Sequence, residues 1–285
     1  MTQSKNKILY LHMLLIFSFF TLAAANSDGN NQLNQTSSDS TTLIEGSIEK
    51  RLDILTEING NSGHPLSKEA IEQILVLAEK ERKDQESTKK GELGELYYSA
   101  IIDALGNTRD PRAVPYLTGY YFGSGTAVAR SLRKIGSAAI DPLIMKLHDD
   151  VVGFRAAAAQ SLGFFLKPDE TEYVAKNGIR ENIKKALIQE LRDARNQNPD
   201  KSIPWSEIRG QERAQVRVFI VKDLGSFAAD GDNEALTVIK SAAENDAYCM
   251  DMRKKKNYNG PQKRCMVREE AQKILDSLKT RGQHK

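Results

Sequence analysis

Apolar residues recur along this chain at the three- and four-residue steps of a helix, and the pattern is repeatedly interrupted and restarted. Ile44, Ile48, Leu52, Leu55 and Ile58 form one stripe, as expected of a helix that buries a single face. Asn59-Gly60-Asn61 and His64-Pro65 interrupt it. Ser67 is placed to cap a second helix, with Glu69 in its first turn. Ile71, Ile74, Leu75 and Ala78 give the second stripe, and a solvated charged stretch runs from Lys80 to Glu92.

Five later segments share one template: Tyr98–Gly106, Val128–Gly136, Arg155–Gly163, Arg217–Gly225 and Arg268–Asp276. Each carries Leu or Ile seven positions after its start, and the first four follow it directly with Gly. A glycine there predicts a left-handed stop just past a helix. The starts are 30, 27, 62 and 51 residues apart. The first two intervals suit one helix pair, and the third is close to two. Between the segments a second piece recurs: Ala113 to Leu117, Ala139 to Leu143 and Ala235 to Ile239 each set Ala and a large aliphatic four apart. Asp110 and Pro111 open the first of these as cap and first helical residue, and Asp232 caps the third. One such pair cannot bury its apolar face alone, whereas stacked pairs can.

Leu105-Gly-Asn-Thr-Arg-Asp-Pro-Arg-Ala-Val-Pro-Tyr-Leu117 resembles the junction of HEAT-like repeats, including those first described in phycobilisome lyases. Leu147-His-Asp-Asp-Val-Val-Gly-Phe-Arg-Ala-Ala-Ala-Ala-Gln-Ser-Leu-Gly163 is similar to the same family's turn and second helix. The resemblance implies an all-α fold, an α-α superhelix of antiparallel helix pairs used chiefly for protein–protein contact. It says more about fold than about function. A helical repeat domain is expected over 43–285, clearest over 93–165 and weaker over 207–280. Two stretches depart from the pattern as insertions: 164–206, with a helix at roughly Ile179–Arg195, and 248–265. Long insertions in a repeat array often map to functional loops.

The start of the chain follows other rules. Lys5 and Lys7 precede an almost wholly apolar run from Ile8 to Leu22, and Ala23-Ala-Ala25 follows. This pattern predicts a secretory signal over 1–25, cleaved after Ala25. An uncleaved anchor competes with that reading, although the run falls short of the roughly 20 residues that span a bilayer. Residues 26–42 are rich in Ser, Asn and Thr and are expected to be a polar linker. Loss of the signal takes the formal charge from +3 to +1, which argues against general nucleic-acid binding. The chain as a whole, at 40% apolar and 28% charged, has the composition of a soluble globular protein.

Candidate chemistry is sparse. Cys249 and Cys265 fit a disulfide in an exported protein, closing a loop worth roughly 3 kcal/mol in the chain-entropy model. A metal site would need two more ligands, and a nucleophile would need a general base that is not evident nearby. Between the cysteines Arg253, Lys254, Lys255, Lys256, Lys263 and Arg264 face a single Asp251. That loop could grip an acidic or polyanionic surface, or it could simply be a solvated hairpin. Arg130, Arg133 and Lys134 cluster on one repeat helix and are candidates for partner contact on the inner face of the superhelix. Arg155, Arg217 and Arg268 hold equivalent positions in three repeats. They are expected to form a structural ladder, pairing with turn carboxylates such as Asp150. Tyr120, Tyr121 and Phe122 could be core or anchor, and so could Trp205. His148, Asp149 and Asp150 could serve acid–base or metal chemistry, or cap the turn of a repeat. No Gly-rich phosphate loop and no hydrolase or zinc signature occurs, and no cofactor is expected. The leading functional expectation is an exported, non-catalytic adaptor for an unknown protein partner. A polyanion-binding module and an enzyme-associated subunit are the alternatives.

Overall fold

The helices begin and end largely where local chemistry dictates. In a computed structural model, the described residues are 43–61, 63–122, 125–167, 178–193, 196, 207–251 and 263–282. The stretches expected to be signal and linker, Trp205 and Arg253 to Lys256 lie outside them. The helices are α1 (Ile48–Gly60), α2 (Lys68–Asp84), α3 (Gly91–Thr108), α4 (Val114–Thr118), α5 (Thr126–Ile135) and α6 (Ile140–Leu147), followed by α7 (Val152–Phe165), α8 (Ile179–Arg192), α9 (Glu207–Ala229), α10 (Asn233–Asn245) and α11 (Met266–Gly282). The fold is all-α, apart from a two-residue antiparallel pair, β1 (Met250–Asp251) with β2 (Lys263–Arg264). None of the described helices is long and apolar enough to cross a membrane.

Ser67 Oγ accepts from the Ala70 amide and opens α2. Asp232 does the same for α10 through Ala235. The Asp110 carboxylate accepts from the Arg112 amide and starts the short turn that leads into α4. Each cap satisfies an amide that the first helical turn leaves without a partner.

The packing separates the helices into two rows. In the first row α1, α3, α5, α7, α9 and α11 each pack on the next. In the second row α4 packs on α6, α6 on α8 and α8 on α10, while α4, α6 and α8 also pack on α5, α7 and α9 respectively. Leu105, Leu162 and Leu224, the apolar positions of the repeated template, are fully buried between the rows. Two expectations are corrected by this order. Because α9 packs directly on α7, the 62-residue interval is a single step along the first row. The stretch 164–206 is therefore not simply an insertion: its helix α8 is a regular second-row member with long connections, and it ends at Arg192, where Asp193 turns extended.

The repeated glycines are a third correction. Only Gly136 ends its helix with positive φ, at +95°. Gly106, Gly163 and Gly225 lie inside α3, α7 and α9. A Cβ at Gly106 would sit 2.7 Å from the Cα and Cβ of Ser131 on α5. At Gly163 it would run into the Asp223 carboxylate on α9, and at Gly225 it would lie 3.2 Å from Ile274 on α11. These glycines let successive first-row helices approach closely. The left-handed ends of α2 and α3 fall instead on Gln85 and Arg109.

That close approach buries an acid. Asp223 Oδ2 is sealed from solvent and has no hydrogen-bond partner, and burial pushes the carboxyl well above the usual carboxylate range. A raised folded-state value stabilises the fold only at pH below the unfolded value, and that contribution disappears as pH rises through the folded one. Asp223 is thus a cost at neutral pH. Asp223→Asn is expected to gain about 1–2 kcal/mol at pH 7 and to flatten the dependence of melting temperature on pH, as thermal unfolding across the acid range would show.

Candidate functional site

Polar chemistry concentrates where second-row helices turn into first-row helices. The best-built part involves the turns before α7, α9 and α11. Arg155 and Arg268 lie in the first turns of α7 and α11, whereas Arg217 sits mid-way along α9; Arg155 and Arg217 are each 3% exposed. The Arg155 guanidinium donates to the backbone carbonyls of Asp149 (2.8 Å) and Asp150 (3.1 Å). Its Nε lies 3.3 Å from Asn196 Oδ1 and 3.4 Å from Glu190 Oε1. Asn196 donates 2.7 Å to that same Glu190 oxygen, and its own carbonyl accepts from Arg217. Arg217 also donates to both oxygens of Asp246, at 2.7 and 3.1 Å. The Asp246 carbonyl accepts from Arg268 Nε at 2.5 Å. The helices α7, α9 and α11 are thus linked through Asn196 and Asp246.

The role expected for Asp150 is corrected: it contributes its main-chain carbonyl, not its carboxylate. The carboxylate that shapes this turn belongs to Asp149. Its Oδ1 accepts from the Val151 amide at 2.9 Å and its Oδ2 from Lys146 at 2.8 Å. Lys146 above all holds this carboxyl below its ordinary value. His148 Nδ1 sits 3.1 Å from Oε2 of Glu190, whose side chain is fully buried. Glu190 escaped sequence reasoning because a glutamate in a charged helix looks solvated. Only its spacing of seven residues from the buried Ile183 could have marked it as facing inward.

A counterpart lies at the other end. Arg51, near the start of α1, contacts Glu86 (2.5 Å), the Ile44 carbonyl (2.7 Å) and the Tyr97 hydroxyl (3.4 Å). Burial raises the Tyr97 phenol to about 12. Glu81, 1% exposed, accepts from the Ser87 amide at 3.0 Å and from the Ser87 hydroxyl. Tyr121 and Phe122 are buried, and Tyr120 packs edge-on against Tyr121 at 4.9 Å. The aromatic cluster therefore belongs to the core.

The remaining candidates are at the surface. Arg130 is exposed, Arg133 is half-buried, and Lys134 donates 2.7 Å to Asn107 Oδ1. Asn107 in turn donates to Asn59, so this polar thread crosses α5, α3 and α1. Asp110 is held below its ordinary value by Arg112, which also reaches Glu72. Cys249 and Cys265 form a disulfide beside the β1–β2 pair, with Lys263 and Arg264 exposed on β2. Glu269 accepts from the Cys265 amide at 2.8 Å and lies 3.6 Å from Arg264. Among the described residues, no group of three or more His, Cys, Asp and Glu side chains is arranged to hold a metal. The chain matches no protein-family model, no curated protein and no solved structure.

Proposed function

We propose that the chain is an exported α-α repeat scaffold of HEAT-like type that binds another protein on the exposed side of its first-row helices. The observation that carries this is the serial packing of the first row, in which each helix rests on the next and buried arginines tie three consecutive turns together. Such an array presents a long, preorganised face whose binding does not require the chain to be ordered first. The basic-apolar start and the disulfide support export.

The test is a crosslinking pull-down from the native envelope or secretome, using the chain from Asn26 at low and raised salt. A specific protein captured at both salt levels is expected, and Arg130→Glu should weaken its binding about tenfold or more. Capture that ignores Arg130→Glu and other charge reversals on the first-row face would remove the proposal.

A second reading is favoured by the disulfide-tethered base of the basic loop, where Lys263 and Arg264 are exposed. It is a polyanion-binding module. Retention on heparin that is lost at moderate salt and on neutralising Lys263 and Arg264 would select it; retention that survives both changes would discard it.

A further inference from the structure

We propose that the junction of α1, α2, α3 and α4 is a binding site for a small monovalent cation, held on the Glu81 carboxylate. The junction buries one carboxylate, Glu81, and one guanidinium, Arg51, beside the part-exposed Glu86. Arg51 is committed to Glu86. Glu81 has only neutral partners: its Oε1 takes the Ser87 amide, the Ser87 hydroxyl and the Tyr120 hydroxyl at 3.4 Å. Its Oε2 is sealed from solvent and meets no donor. A buried carboxylate without a counter-charge costs several kcal/mol, and a bound cation removes that cost.

A second sealed atom lies in the same junction. Tyr121 is 0% exposed and its hydroxyl has no hydrogen-bond partner. After burial itself, the Glu81 charge is the largest influence raising its phenol, so the two groups lie within electrostatic reach of each other. The aromatic wall adds to the attraction. Tyr98 and Tyr120 each pack with ring centroids 4.9 Å from Tyr121, and aromatic faces favour a desolvated cation. The junction is also tightly closed, because any side chain at Gly94 would run into the Ser87 carbonyl.

The donor set selects the ligand class. It consists of oxygens, with one carboxylate and several neutral hydroxyls. Calcium sites gather several oxygen ligands with more carboxylate charge, and transition metals prefer nitrogen or sulfur. Sodium, potassium or ammonium matches a single negative charge.

The experiment is thermal unfolding of the full chain in sodium, potassium, ammonium and choline chlorides at equal ionic strength. The melting temperature is expected to be about 5 °C higher in at least one small cation than in choline. Glu81→Gln should abolish the difference, and Tyr121→Phe should reduce it. Equal melting temperatures in all four salts, or an undiminished difference in Glu81→Gln, would overturn the proposal. Should Glu81→Gln not fold, crystals soaked in rubidium decide: an anomalous peak beside Glu81 Oε2 supports the site, and its absence refutes it.

Discussion

Replacing Arg217 with methionine is expected to destabilise the fold by about 3–5 kcal/mol, readable as a fall in the urea midpoint. The guanidinium donates to both oxygens of Asp246, whose side chain is 9% exposed, and to the Asn196 carbonyl. Methionine fills similar volume and keeps contact with the Tyr248 ring, over which the guanidinium lies at 6.0 Å. The loss is therefore mainly electrostatic: a buried carboxylate abandoned by its cation. Arg217→Met combined with Asp246→Asn should recover a substantial part of the loss. The asparagine removes the stranded charge while its oxygen can still accept from the Tyr248 amide, as Asp246 does at 2.9 Å. If the double variant is no more stable than Arg217→Met, the arginine contributes through packing instead.

A matched pair of glycine substitutions gives the second large effect, with opposite signs. In an isolated helix Gly→Ala gains up to about 1 kcal/mol. At Gly153, within α7, a Cβ meets nothing within 4 Å, and Gly153→Ala is expected to show that gain. At Gly106 the new methyl would fall 2.7 Å from the Ser131 Cα, an atom that moves only if α5 moves. Gly106→Ala is expected to lose about 1–3 kcal/mol instead. Gly106→Ala combined with Ser131→Gly would recover little if the backbone is the obstacle, and more if the Ser131 side chain is. Equal effects at both glycines in denaturant titrations would mean that close helix approach is not what Gly106 provides.

The contrast shows what could be read along the chain and what could not. Ser67, Asp110 and Asp232 were legible because a cap acts within three residues of itself. The arginine positions were legible because the template aligns them, although the register puts Arg155 and Arg268 near the opening of their helices and Arg217 in the middle of α9. The partners were not legible: Asn196 and Asp246 lie 41 and 29 residues from the arginines they serve, in turns without a repeating motif. The glycines were read as stops because a local rule offers that meaning, whereas their contacts lie one repeat away. The 62-residue interval misled for a related reason. Period counting assumes short connections, and around α8 the connections are long. Glu81 and Glu190 show the same limit, since helical spacing does not reveal that a charged residue is walled in by the next repeat.

The arginine register has one interruption among the later repeats. At the position held by Arg155, Arg217 and Arg268, α5 carries Val128, and the arginines of α5 itself sit further along, at 130 and 133. The buried bonds before it tie α1 to the α2–α3 turn, and those after it tie α7 to α11. Among the described residues, apolar packing, the Gly106 approach and a side-chain thread ending at the exposed Lys134 cross α5. The break in the arginine register at α5 predicts that amide protons on either side of it exchange as separate cooperative units, which hydrogen exchange would show.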